Sequence, residues 1–342
     1  MKAKTATTIT YEYERYITTK ENLRATLDRF GVALIPRVLN EQETNQMKNG
    51  MWNYLEHITR ELDRPIQRND RNSWVELIDK LFPQNTMLMQ FWEMGHAQFL
   101  WELRQNERIL DIWSHLWGVS KEDLLVSFDG ASFSLPPEAT KRGWYRGHKW
   151  LHTDQSYARN DFECIQSWVT AYDVNDGDAT LTFLEGSHQY HGEFRQRFLQ
   201  NLNKEDEANV RNKDWFMIKD EDHVAFYKDE KKCPQKCIKC PAGSMVFWDS
   251  RTIHSGRQPL KGRRQENFRC VAYLCYTKRS QATPVNMKKK QKAFDEMRTT
   301  SHWPHKIKVF AKKPRHYGKG YPKITKVGKP VVTKLGRRLA GF

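Results

Sequence analysis

Two histidines and one aspartate have the types and spacing of metal ligands. His152 and Asp154 are two positions apart in Lys149-Trp-Leu-His-Thr-Asp-Gln-Ser156, so on a strand both side chains point to the same face. His254 lies far along the chain, just after the apolar segment Ser244-Met-Val-Phe-Trp248. Two imidazoles and one carboxylate form the facial triad of non-haem iron(II) sites, which leaves positions open for a cosubstrate and dioxygen. The three residues therefore predict such a site, provided that the strand before His254 returns beside the first one.

A second chemical signal lies on the next predicted strand, Phe268-Arg-Cys-Val-Ala-Tyr-Leu274. Arg269 shares one face of this strand with apolar and aromatic residues, where a charge is costly unless it meets an anion. Because a planar guanidinium makes two parallel hydrogen bonds to a carboxylate, Arg269 is a candidate anchor for the distal carboxylate of 2-oxoglutarate. The arginines of the preceding polar loop, Arg257, Arg263 and Arg264, are interpreted as solvated charges.

The elements that must position these residues change from helices to strands along the chain. Gly31-Val-Ala-Leu-Ile-Pro36 is typical of a short buried strand, and Asn40 with Glu43 three residues later predicts a capped helix start. Further helices are predicted at residues 74–82, 87–103 and 109–117. Strands rich in β-branched and aromatic residues are predicted at 124–128, 166–172, 180–184, 244–248 and 268–274. This order predicts one α+β domain, a β-sandwich or barrel with helices packed on one face.

The positive charge of the chain is concentrated near its C-terminus. Residues 288–338 contain 17 Lys and Arg against two acids, whereas the other residues include 40 basic and 39 acidic ones. Such a segment could contact nucleic acid or another polyanion, which leaves a non-enzymatic binding module as the alternative function. Apolar residues such as Trp303 and Phe310 run through it, however, and favour a strap packed on the body. We therefore expect an oxygenase domain over 1–280, with an insertion at about 193–232, and a basic strap over 281–342.

The rest of the composition excludes several classes of protein. No apolar run is long enough to span a bilayer, and the polar start lacks the apolar block of a secretory signal. We expect an intracellular protein, cytoplasmic or else nuclear, with reduced cysteines. Cys233, Cys237 and Cys240 are closely spaced, but no second cysteine pair accompanies them. We therefore favour a hairpin leading into a strand over a zinc site.

Four segments follow one another in an order typical of a known family. They are His152-x-Asp154, Gly177-Asp-Ala-Thr-Leu-Thr-Phe-Leu-Glu-Gly-Ser-His188, Pro241-Ala-Gly-Ser-Met-Val-Phe-Trp-Asp-Ser-Arg-Thr-Ile-His254 and finally Arg269. This order resembles the phytanoyl-CoA dioxygenase family of iron(II)- and 2-oxoglutarate-dependent oxygenases, over roughly residues 31–276. The segment Arg298-Thr-Thr-Ser-His-Trp-Pro304 is similar to uncharacterised members of that family from large DNA viruses and algae.

The resemblance implies a fold, a set of ligands and a set of cofactors. The implied core is a double-stranded β-helix of the jelly-roll or cupin type, with iron(II) held by His152, Asp154 and His254. The implied cosubstrates are 2-oxoglutarate and dioxygen, with ascorbate as an accessory reductant. Arg269 would anchor 2-oxoglutarate, and Trp168 would line its pocket.

The same resemblance leaves three points open. The loop before the anchor is longer than usual, so Arg264 stays open as a substitute, and Trp168 could equally be a core residue. Because Asp154 is a carboxylate, the expected reaction is hydroxylation with release of succinate and carbon dioxide, rather than halogenation. The substrate stays open between a coenzyme A thioester, a protein side chain and a nucleotide.

Overall fold

The computed structural model describes residues 9–82, 88–147, 150–200, 204–314 and 320–342. Within these ranges most strands belong to two sheets that face each other. The strands are β1 (Thr10–Glu12), β2 (Val32–Ile35), β3 (Leu88–Met89), β4 (Leu124–Val126), β5 (Ala131–Ser134), β6 (His152–Thr153), β7 (Ile165–Thr170), β8 (Thr180–Leu184), β9 (Phe216–Met217), β10 (Gln235–Ile238), β11 (Met245–Asp249), β12 (His254–Arg257), β13 (Arg269–Tyr273) and β14 (Tyr276–Lys278).

The two large sheets have the connectivity of a jelly roll. The first sheet has the strand order β2-β11-β7-β13-β5-β3, the second has β1-β10-β8-β12-β6-β9, and β14 pairs with β4. From β5 to β8, and again from β10 to β13, each strand lies in the sheet opposite to its predecessor. Among the described strands, neighbours are antiparallel except for the parallel pair β1 and β10.

Helices cover the outer face of the first sheet, which confirms the predicted α+β class with helices on one face. None of the helices in the described ranges is both long and apolar enough to cross a membrane. The α-helices are α1 (Leu23–Phe30), α2 (Glu41–Thr59), α3 (Gln98–Arg104), α4 (Glu107–Trp117), α5 (Pro137–Thr140), α6 (His191–Phe198), α7 (Lys204–Asn212), α8 (Glu221–Ala225), α9 (Pro284–Asp295) and α10 (Lys334–Leu339).

Alternate residues of the first sheet face two separate apolar cores. On the outer face, Phe247 of β11 packs against helix α4, with its ring centroid 5.6 Å from that of Trp113. On the inner face, Trp168 and Val246 pack with Phe183 of the second sheet. Side chains alternate between the faces of a strand, so a sheet covered on both sides is apolar at every position.

Helix α2 begins where the sequence predicts. The Asn40 side chain accepts a hydrogen bond from the Glu43 backbone N–H at 2.9 Å, and the Glu43 carboxylate accepts one from the Asn40 N–H at 2.8 Å. This reciprocal pair satisfies two backbone donors that have no partner within the helix. The helix buries one apolar stripe under the first sheet, formed by Met47, Met51, Leu55 and Ile58.

The helix predicted at residues 87–103 is wrong in its first part. Met87 lies outside the described residues, and the next two residues form β3, which pairs with β5. The chain then passes the Phe128 backbone at Gly95, where a Cβ atom would lie 2.2 Å from the Phe128 carbonyl oxygen. The α-helix starts only after this close approach, at α3. Tertiary pairing here overrides the helical spacing of the aromatic residues.

Two other segments also differ from a simple helix. Residues 74–82, predicted as helical, are helical up to Leu81, but in mixed form: a 3-10 turn at Arg71–Trp74, two α-helical residues and a π-helical turn at Leu77–Leu81. The charged stretch at 193–232 contains helices, but also the short edge strand β9, which pairs with β6.

The basic C-terminal segment buries part of its length against the rest of the chain. Trp303 and Leu339 are fully buried, whereas Val331 is 79% exposed. The Lys290 ammonium of α9 donates a hydrogen bond to the Val126 carbonyl oxygen, and burial lowers the pKa of Lys290 well below its usual value. We propose that residues 281–342 act as a strap on the domain formed by residues 1–280.

Candidate metal and cosubstrate site

His152 and His254 lie side by side on two neighbouring strands of the second sheet. Strands β6 and β12 pair in antiparallel register with His254 opposite His152, and the two ring centroids are 4.5 Å apart. Asp154 follows β6, where its backbone N–H donates to the Ser250 carbonyl oxygen at 2.9 Å. One ligand atom from each of the three side chains lies within 4.8 Å of the others. The return strand expected from the sequence therefore brings the three predicted ligands together.

Backbone carbonyl groups fix the orientation of both imidazole rings. The Nδ1 atom of His152 lies 2.9 Å from the Trp150 carbonyl oxygen, and Nδ1 of His254 lies 2.9 Å from that of Thr252. A carbonyl oxygen can only accept, so each Nδ1 carries a proton, and Nε2 is the ring nitrogen left to bind a metal. Both Nε2 atoms face the Asp154 carboxylate, at 3.5 Å from His152 and 3.2 Å from His254. Backbone carbonyl groups that accept from Nδ1, as those of Trp150 and Thr252 do, orient the ligand histidines of metal sites.

The protonation states also suit a metal ion. Burial lowers the pKa of His152 to about 4, so this imidazole is neutral at pH 7. Burial by itself would raise the pKa of Asp154, but the neighbouring His152, His254 and His302 together lower it below its usual value. The Gln166 amide also donates to the Asp154 Oδ2 atom at 2.9 Å. The donor set is therefore one carboxylate and two imidazoles, which are the ligands of non-haem iron(II) sites.

Arg269 is a buried cation on the inner face of the first sheet. Its side chain is 5% exposed, and its Nε and Nη1 atoms donate to the Ser132 hydroxyl at 3.0 Å and the Ala179 carbonyl at 3.2 Å. The guanidinium carbon lies 5.6 Å from the ring centroid of Trp168, whose indole N–H is buried without a partner among the described residues. Both hydrogen-bond acceptors of Arg269 are neutral, so its charge fits an anionic ligand.

The other arginines near the site have different surroundings. The Arg264 side chain is exposed. Arg263 is bound on both sides by carboxylates, at 2.8 Å from Glu138 and 2.8 Å from Asp178. Arg257, which the sequence suggests is solvated, is instead buried, with its guanidinium carbon 4.5 Å from the Tyr145 ring centroid. Arg264 therefore lacks the burial of Arg269, and Arg263 lacks its neutral partners. Arg257, at the end of β12, shares both features, because its Nη1 atom donates to the Cys237 thiol at 3.4 Å.

His302 is a neighbour of the site that the sequence did not assign to it. The Thr300 backbone N–H donates to the Phe128 carbonyl at 3.0 Å, and the Phe128 N–H donates to the Thr300 hydroxyl at 3.0 Å. This pairing holds His302 beside Asp129, whose pKa burial raises to about 6 against the lowering effect of His302. The Nε2 atom of His302 is buried without a hydrogen-bond partner in the described structure. The segment from Arg298 was recognisable as a motif, but nothing in its spacing linked it to the metal ligands.

The three closely spaced cysteines lie in and around strand β10. Cys233, Cys237 and Cys240 are free and buried. In the described ranges, the side chains that gather as a metal-binding group are the three at the pair of histidines. Two of the cysteines belong to β10 or follow it, which matches the expected strand.

The fold and the site together define a double-stranded β-helix protein with a His-Asp-His group between its two sheets. The chain belongs to the phytanoyl-CoA dioxygenase (PhyH) family, because that family's model matches residues 27–262, more than half of the chain. Proteins of this family are non-haem iron- and 2-oxoglutarate-dependent oxygenases. The resemblance inferred from the sequence is thus confirmed at the level of the family. The greater similarity to members from large DNA viruses and algae stays a prediction.

Solved structures of similar fold include a hypothetical protein from Escherichia coli, with a TM-score of 0.58, 14% identity, and coverage of 96% of this chain and 85% of that one. The product of a GlcNAc-inducible gene of Candida albicans has a TM-score of 0.50, 14% identity and coverage of 80% and 67%. The epimerase SnoN, in complex with Fe3+, alpha-ketoglutarate and nogalamycin RO, has a TM-score of 0.45, 16% identity and coverage of 76% and 83%. A search among curated proteins finds no significant sequence match. Likeness at such low identity bears on the fold alone.

Proposed function

We propose that the chain is an iron(II)- and 2-oxoglutarate-dependent dioxygenase that hydroxylates a substrate, with release of succinate and carbon dioxide. The observation that carries this proposal is the cluster of His152, Asp154 and His254, whose ligand atoms lie within 4.8 Å of one another. When bound, iron(II) supplies dioxygen activation, and oxidative decarboxylation of 2-oxoglutarate supplies electrons for it.

The three ligand residues have separate tasks in this proposal. The two imidazoles would bind the metal through Nε2, because their Nδ1 protons are held by the carbonyl groups of Trp150 and Thr252. Asp154 supplies the single negative charge, and the amide of Gln166 keeps one of its oxygens in place. A carboxylate in this position occupies the place that a halide would need, so hydroxylation is favoured over halogenation.

Arg269 supplies the positive end of the cosubstrate pocket in the same proposal. The Ser132 hydroxyl and the Ala179 carbonyl orient the guanidinium from one side, which leaves its remaining donors for the distal carboxylate of 2-oxoglutarate. Trp168 packs beside it and helps to exclude water, which strengthens an ionic contact. The exposed Arg264 lacks these neighbours.

The test is conversion of 2-oxoglutarate to succinate by protein loaded with iron(II), measured by mass spectrometry with and without dioxygen. With ascorbate present, slow conversion is expected without an added substrate, because 2-oxoglutarate supplies two of the four electrons that dioxygen takes and ascorbate supplies the other two. His152→Ala should abolish it by removing a ligand, and Arg264→Ala should leave it unchanged. Equal succinate formation by wild type and His152→Ala would contradict the proposal.

A further inference from the structure

Two tryptophans of this chain are largely exposed, and they meet beside a proposed metal ligand. Of the 12 tryptophans, all within the described ranges, Trp150 and Trp215 are 46% and 43% exposed, whereas Trp144 is half-buried and the others are buried. The ring centroids of Trp150 and Trp215 are 5.7 Å apart. The Trp150 ring centroid lies 5.5 Å from that of His152.

The positions of both rings follow from the pairing of strands β6 and β9. Trp150 lies just before β6, two residues ahead of His152, and Trp215 lies just before β9. These strands are antiparallel partners, with His152 opposite Met217. The charged stretch at 193–232 therefore supplies an aromatic ring to the rim of the metal site, although its composition gives no sign of this.

The ring pair keeps part of its indole surface open to solvent. The planes are inclined at 37°, so the two indoles do not stack face to face on each other. Exposing indole surface to water costs free energy. That cost is offset when a flat ring stacks on the indole and buries it. Aromatic side chains bind nucleobases in this way, since every base has a stackable face.

The charges around the ring pair favour a ligand with negative charge. The Lys213 ammonium lies 6.0 Å from the Trp215 ring centroid. The nearby carboxylate of Asp214 is already neutralised by Arg159 at 3.1 Å and by Lys308 at 2.5 Å. Neutral sugars stack on aromatic rings too, but they do not need the cation of Lys213.

We propose that Trp150 and Trp215 form a stacking platform for the base of an anionic nucleotide, and that this nucleotide is the substrate presented to the metal. The substrate assignment rests on the proposed oxygenase function, whereas the binding platform does not. A free mononucleotide and one nucleotide unit of a single strand share this chemistry. The ammonium of Lys213 would then contact its phosphate.

The experiment uses the full chain loaded anaerobically with iron(II) and 2-oxoglutarate. Binding of a short fluorescein-labelled oligothymidylate is followed by fluorescence anisotropy, with AMP as an unlabelled competitor. The variants are matched pairs at each position, Trp150→Leu with Trp150→Phe, and Trp215→Leu with Trp215→Phe. Leucine keeps apolar bulk without a ring, while phenylalanine keeps a ring.

We expect each leucine variant to weaken binding about tenfold or more, and each phenylalanine variant to stay within about threefold of wild type. Binding should also weaken as salt rises, and Lys213→Ala should reduce this salt dependence. Competition by AMP would identify a free nucleotide as a sufficient ligand. Oligonucleotide binding that AMP does not displace would identify a single strand as the ligand. The absorption band of the iron(II) complex with 2-oxoglutarate, recorded for each variant, checks that the site is intact.

Three outcomes would overturn the platform. One is wild-type protein that has the band but binds neither probe, and another is leucine variants that bind as well as wild type. The third is binding that depends on the lysines of residues 281–342 and not on either ring. Ring-dependent binding in a wild-type protein that never shows the band would support the platform and contradict the oxygenase function instead.

Discussion

The two sheets of this protein differ in how fully their strands are buried and in the site residues that they provide. Every residue of β7 in the first sheet is buried, because helices cover one face and the second sheet covers the other. In the second sheet, β6 and the edge strand β9 have only two residues each, and His152 is incompletely buried. The first sheet supplies a rigid wall and the proposed anchor Arg269, while the second supplies the three proposed metal ligands. The proposed site therefore joins two kinds of wall, short strands that leave His152 partly exposed and a covered sheet that buries the charge of Arg269.

The largest effect is expected from removing a ligand on the second sheet. Asp154→Ala should abolish iron binding, because it removes the only carboxylate of the three-residue group. Stability should change little, since this side chain contributes no apolar packing. Metal content after dialysis and the thermal melting temperature are the two measurements. An Asp154→Ala protein that keeps its iron, or one that unfolds, would contradict this difference between the sheets.

A change in the first sheet should have the opposite signature. Phe247 is fully buried against Trp113 on the helical side, so Phe247→Ala should lower the free energy of unfolding by about 3–5 kcal/mol. The variant that remains folded should bind iron normally, because the side chain points away from the site. Urea denaturation and metal titration would measure the two effects, with Phe247→Leu as the milder control. Loss of iron affinity without loss of stability would show that the sheets are not separable in this way.

The proposed anchor should affect the cosubstrate and not the metal. Arg269→Ala removes charge-assisted hydrogen bonds worth about 1.5–3 kcal/mol, so 2-oxoglutarate affinity should fall roughly 10-fold to 100-fold. Arg264→Ala is the matched control, because that side chain is exposed. Calorimetric titration of 2-oxoglutarate into protein loaded with zinc would measure both. If Arg264→Ala lost cosubstrate affinity and Arg269→Ala did not, the anchor assignment would be wrong.

The smallest effect is expected at the start of the helix that supports the first sheet. Asn40→Ala removes a side-chain cap from α2 and should lower the free energy of unfolding by about 1 kcal/mol. Iron and 2-oxoglutarate affinity should be unchanged, because the cap lies in the helical layer. Asn40→Asp, which can still accept the same hydrogen bond, should retain most of the stability. An equal loss in both variants would point to a contact other than the cap.

The parts of the fold that were predictable are those with strong local patterns. The capping pair at Asn40 and the apolar strand before His254 carry signals in a few adjacent residues, and both elements form as expected. Strand β6 has two residues and no periodicity to detect, so its pairing with β12 could be argued only from the chemistry of His152 and Asp154. The segment at residues 87–103 shows the reverse, a helical pattern that partly yields to strand pairing.

The surroundings of the site were less predictable than its proposed ligands. Gln166 and His302 approach Asp154 from parts of the chain separated by a long stretch of sequence, and neither has a spacing that announces this. Trp215 reaches the rim through the pairing of β9 with β6, which depends on the tertiary fold. Residue type identified the ligands because metal chemistry restricts it, whereas many residue types can serve as neighbours.

The central claim is that iron(II) and 2-oxoglutarate bind together at His152, Asp154 and His254. The most direct test is anaerobic titration of the iron(II)-loaded protein with 2-oxoglutarate, followed by visible absorption. We predict a weak charge-transfer band of the chelate that saturates in wild type and is absent in Asp154→Ala. Wild-type protein with iron verifiably bound and no band at saturating 2-oxoglutarate would contradict the account.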